Sequence, residues 1–168
     1  MEPSDTLLTL AEIAVALAGF TGIVGALGQR SAGADREIGW LRLRTMLEVS
    51  LRNAAFAILP LPFLGFVGDE TLVWRFASGA YLVTVVAYIV FRRTRSTGPA
   101  ESSTLSGPFL SLLPVSLLAC IANVLGLAGP QAFSLYLLSL VLGLVTAGLL
   151  FLSVAATLLR EDRDQVEP

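Results

Sequence analysis

The sequence predicts an all-α membrane protein, a bundle of five transmembrane helices with its N-terminus outside the cell and its C-terminus inside. Three observations predict it. Hydrophobic residues make up 55% of the chain and charged ones 14%, with a mean hydropathy of +0.77; soluble domains carry about 25% charged residues. Five apolar runs, residues 7–27, 43–66, 72–91, 109–127 and 132–159, each reach about the 20 residues that a bilayer requires. The basic residues then fix a direction. All 11 are arginines, and nine stand before the second run, inside it near its start, or after the third and fifth runs. With five spans those regions share one side, which the positive-inside rule makes cytoplasmic. The other side carries Glu2, Asp5, Asp69 and Glu70, with Arg75 nearby.

The first run has no positively charged segment before it, so it reads as a retained span rather than a cleavable signal. Its small residues form two smooth faces. Ala14, Ala18, Gly22 and Ala26 recur every four residues, and Glu12, Ala16, Gly19 and Ile23 form a second row roughly a third of a turn away. Small residues let membrane helices approach closely. Two smooth faces predict two packed faces, with this helix central.

The second run begins as a charged amphipathic segment, with Trp40 at head-group depth. Arg44, Glu48 and Arg52 follow at intervals of four, so the carboxylate can sit between two guanidinium groups on one helical face. An ionisable residue inside a span costs about 2.5–3.5 kcal/mol on insertion scales. The ladder therefore reads either as a salt bridge that ends the hydrophobic span or as the lining of a cytoplasmic vestibule for ions or anionic head groups. Asn53, with Ser50 and Ala57 beside it, reads as interhelical glue.

Gly68–Glu70 and residues 128–131 read as tight turns, making hairpins of spans two and three and of spans four and five. Arg75 on the third span and Asn123 on the fourth lie at the depth of Glu12, which predicts a Glu12–Arg75 pair with Asn123 as a third partner. Residues 92–108 form the one long polar linker. Ser139, Gly143 and Ala147 give the fifth span a small-residue seam, its leucines being left to lipid. No loop is long enough to fold alone, so the chain reads as a single transmembrane domain. It has no internal repeat of the kind that inverted-repeat transporters carry.

Absences narrow the function. There is no histidine and no lysine, so no imidazole base, haem ligand or Schiff base; the single Cys120 forms no disulfide within the chain. No nucleophile elbow, phosphate loop or dinucleotide fingerprint occurs. No enzymatic activity, cofactor, metal or nucleic-acid partner is expected.

"AEIAVALAGFTGIVGAL", "LRLRTMLEVSLRN", "LPLP" and "ETLVWR" together resemble a group of small, uncharacterised bacterial integral membrane proteins. The resemblance covers roughly the first half of the chain. It implies a bacterial inner-membrane location and carries no activity or site residues. The functional expectation is a homo-oligomer that conducts ions or small solutes. The alternatives are a non-catalytic scaffold subunit of a membrane complex, or a protein whose cytoplasmic arginines hold anionic lipid.

Overall fold

The structure, a computed structural model, describes residues 2–27, 34–95 and 108–166. Five long helices and one short one account for most of them: α1 (Pro3–Leu27), α2 (Ala34–Ile58), α3 (Leu61–Leu64), α4 (Glu70–Arg95), α5 (Pro108–Val124) and α6 (Ala132–Val166), with a 3-10 turn at Gly129–Gln131 before α6. Among the described residues there is no strand. Four stretches are long and apolar enough to cross a membrane: Pro3–Gly25, Leu43–Leu64, Glu70–Arg92 and Gly129–Ser153. The apolar stretch of α5, Leu112–Val124, is shorter.

The burial pattern is compatible with helices that cross a membrane. Only 28–33% of each crossing stretch is buried within the chain. Phe20, Ile23, Phe76, Val83, Leu118 and Leu152 face outward, whereas Ser50, Asn53, Ser78, Asn123 and Ser139 are enclosed.

Local sequence sets the helix ends. The second crossing stretch, expected over 43–66, runs Leu43–Leu64; within it α2 stops at Ile58, because Pro60 and Pro62 each lack an N–H and clash with the preceding turn. The chain then makes the single turn of α3. Asp69 starts α4: its Oδ1 accepts the Thr71 N–H at 2.9 Å, a side-chain N-cap. α5 ends in a Schellman motif, with Leu127 N bonded to Ala122 O and Gly126 N to Asn123 O, both at 3.0 Å. Gly126 takes the left-handed φ of +77° that this motif needs.

The central helix is α6, not α1. It packs against α1, α2, α4 and α5. Its Ser139 and Ala147 are buried, as the small-residue seam predicts, but so are Leu140, Leu144 and Leu150, which the sequence left to lipid. α1 packs chiefly on α2 and to a lesser extent on α6. It uses one face only: Leu7, Ala11, Ala14, Ala18 and Thr21 are buried, while Glu12, Ala16, Gly19, Gly22 and Ile23 are exposed. Gly22, expected in the packed row, therefore lies outside it, and the side chain of Ala26 falls outside the described residues.

Candidate functional site: the polar seam between α2 and α4

The α2–α4 contact begins at Glu48. Arg44, one turn earlier on α2, donates from Nε to Glu48 Oε1 at 2.8 Å. Tyr88 of α4 donates its hydroxyl to Glu48 Oε2 at 2.7 Å. Arg92, one turn beyond Tyr88, donates from Nη1 to Thr45 Oγ1 at 2.9 Å and to the Tyr88 hydroxyl at 3.2 Å. Both carboxylate oxygens are thus occupied, one from each helix. Charge-assisted bonds of this length are roughly twice as strong as neutral ones, so the seam latches α2 to α4 at the end where the arginines gather.

Arg52 departs from the expected ladder. It forms no ion pair with Glu48. The Tyr88 hydroxyl has taken the second carboxylate oxygen, and the guanidinium instead stacks on two rings, its carbon 5.4 Å from the centre of Tyr88 and 5.9 Å from that of Tyr81. Tyr81 and Tyr88 are seven residues apart, two turns on one face of α4. A guanidinium within about 6 Å of an aromatic face is held by the ring quadrupole. That attraction orients the cation but does not engage every donor: Arg52 Nε is buried without a hydrogen-bond partner.

Behind Arg52 lies a buried polar layer. Tyr81 donates to Asn53 Oδ1 at 3.3 Å, and Tyr136 of α6 donates to the carbonyl of Phe56. Cys120 of α5 points its thiol at Ser139 Oγ, 3.2 Å away. Asn53 is thereby the interhelical contact its sequence position suggested, with Ser50 and Ala57 buried beside it.

Glu12, Arg75 and Asn123 do not come together. Glu12 stands on the exposed face of α1. Arg75 donates from Nη2 to Val124 O at 3.2 Å, and a Cβ on Gly126 would meet that nitrogen at 2.7 Å. The helix C-terminus outcompetes the distant carboxylate because its unpaired carbonyls carry partial negative charge. Asn123 is fully buried and serves backbone and hydroxyl instead, donating to Ser78 Oγ at 2.7 Å, Ala132 O at 3.0 Å and Trp74 O at 3.4 Å.

Of the sequence-derived site residues, Arg44 and Glu48 pair and Arg52 lies beside them. Ala14 and Ala18 pack, and Gly19 does not. Thr45, Tyr81, Tyr88 and Arg92 were missed. The signal was available in the spacing, since positions 81, 88 and 92 fall on one face of α4. Among the described residues no cluster of His, Cys, Asp or Glu could hold a metal.

The chain matches no protein-family model, no curated protein and no solved structure.

Proposed function

We propose that the chain is a five-span bacterial inner-membrane protein, N-terminus out and C-terminus in, that works as a homo-oligomer and passes small anions along the α2–α4 seam. It has no enzymatic activity in this reading. Its location follows the resemblance to small bacterial membrane proteins carried by the first half of the sequence. α5 supplies the remaining span, extended at its end by the apolar residues 125–127.

The observation that carries the reading is Arg52. A guanidinium nine residues into a membrane stretch that begins at Leu43 has no carboxylate partner and an unused N–H. Charges inside membrane spans mark ion and substrate pathways, or else pair. A cation clamped between two rings with donors to spare is suited to an anion that binds and leaves.

Vesicles of defined lipid containing the purified protein test this. Chloride or nitrate efflux should exceed that of sodium, and Arg52→Leu should abolish the difference. Absence of flux from wild type removes conduction and leaves a scaffold role. Retention of copurifying anionic lipid by wild type but not by Arg52→Leu, without flux, assigns the same arginine to a head group. For orientation, a cysteine replacing Asp69 should react with an impermeant reagent added to intact cells.

A further inference from the structure

We infer that the open face of α1 docks on a second copy of this chain, with Glu12 of one copy pairing with Arg75 of the other. The inference rests on the homo-oligomer part of the proposed function and not on conduction.

Glu12 is the starting point. It is the tenth residue of the stretch Pro3–Gly25, inside the proposed membrane crossing. It faces outward, and among the described residues it has no ion-pair partner. Hydrocarbon is a poor place for such a group, and ionisable residues within spans pair with an opposite charge.

Complementary charge exists on the same chain: Arg75 is the sixth residue of the stretch Glu70–Arg92, which in the proposed topology starts on the same side as α1. Leu7 and Ala11 belong to the same apolar core as Trp74 and Ala77. Glu12 follows Ala11, and Arg75 follows Trp74. The half-buried guanidinium of Arg75 gives one N–H to Val124 O, and a guanidinium has five donors. The two residues are opposite in charge, and they are separated within one copy. Two copies inserted in the same direction can present the carboxylate of one to the guanidinium of the other from the same half of the membrane.

The surface around Glu12 admits close approach. Ala16, Gly19 and Ile23 continue its row along the exposed face, and a Cβ built on Gly19 or Gly22 would meet nothing within 4 Å. Membrane helices associate through such smooth faces, with polar side chains bonding across them. The second smooth row of α1 thus has an occupant without any rearrangement of the protomer.

The test is the mass of the detergent-solubilised particle, together with cross-linking between copies. Gly19→Leu places a side chain in open space within the protomer, so it should fold with an unchanged circular dichroism spectrum and sediment as a monomer. Glu12→Gln should lower the oligomer fraction in the same way. When a copy carrying Glu12→Cys is coexpressed with a differently tagged copy carrying Arg75→Cys, a short bifunctional thiol reagent should yield a heterodimer bearing both tags. Cys120 is buried, and copies lacking either new cysteine should give no product. If wild type is oligomeric but Gly19→Leu and Glu12→Gln keep its mass, the interface lies elsewhere and the inference fails while the homo-oligomer stands. A monomeric wild type overturns both.

Discussion

Asn53 of α2 rests against the backbone of Gly143 in α6: a Cβ on Gly143 would meet Asn53 Nδ2 at 2.5 Å and Oδ1 at 2.7 Å. Tyr81 of α4 holds the same amide from the other side, its hydroxyl 3.3 Å from Oδ1. Three helices therefore meet on one buried side chain, and the missing side chain at residue 143 makes the room. Gly143→Ala must push the amide away from Tyr81 or α2 away from α6. Overpacking costs about 1–3 kcal/mol, and losing a buried hydrogen bond costs about 1 kcal/mol more. The thermal midpoint in detergent should drop for Gly143→Ala and recover in part when Asn53→Ala is added. Strictly additive losses would show that the two positions do not touch.

How much of this was legible in the sequence follows from what periodicity can encode. The helices came through because apolar length is enough to identify them, and Asn53 was placed correctly because a lone amide in a span has few other uses. The row Glu12–Ala16–Gly19 announced a smooth face, but smoothness says nothing about which neighbour covers it, so α1 was made central when α6 is. Arg75 was assigned to Glu12 because charge attraction is easy to see in a sequence. Its actual partner, the carbonyl of Val124, has no letter of its own. Tyr88 was missed for the opposite reason, since a tyrosine in a span looks like packing until the carboxylate opposite it is known.

Gly126 and Arg75 give a second test. Gly126 carries both a left-handed φ and the guanidinium of Arg75 against its Cα, whereas Gly129 has φ of +49° and open space around it. Gly129→Ala should bear only the backbone term, roughly 1 kcal/mol. Gly126→Ala should lose more stability than that, as it must also displace Arg75 from Val124 O. In an Arg75→Ala background the steric part disappears, and the two glycine substitutions should become similar in cost. Denaturation midpoints of the five variants, Arg75→Ala alone included, in one detergent would decide it. A larger loss at Gly129 would contradict the geometry.

Asn123 ties the end of α5 to α4 and to the start of α6 through Ser78 Oγ, Trp74 O and Ala132 O. Its removal leaves the buried Ser78 hydroxyl unpaired, at about 1–3 kcal/mol, and takes the added donor from Trp74 O and Ala132 O. Asn123→Ala should therefore be more destabilising than Ser78→Ala, which removes a single partner and leaves the amide its other two. Protease sensitivity of the α5–α6 hairpin should rise in Asn123→Ala before the rest of the chain unfolds. An Asn123→Ala protein as stable as Ser78→Ala would mean that the backbone contacts contribute nothing.

The seam between α2 and α4 separates two roles that lie side by side. The Tyr88 hydroxyl bonds Glu48 and accepts from Arg92, while its ring faces Arg52. Tyr88→Phe removes the first and keeps the second. It should lower stability by about 1–3 kcal/mol, because a bond to a carboxylate is lost, and leave the anion preference of flux unchanged. Arg52→Leu should do the reverse. It removes a charge that costs about 2.5–3.5 kcal/mol to place in a span, so the protein should insert and fold at least as well as wild type while the preference for anions disappears. Arg52→Lys keeps the charge but lacks the planar group that stacks on the tyrosines; it should retain anion preference and bind more weakly. Unfolding midpoints and ion-replacement fluxes from the same preparations would show whether the effects divide this way. If Tyr88→Phe and Arg52→Leu changed flux alike, Arg52 would be acting through the structure of the seam and not as the group that meets the ion.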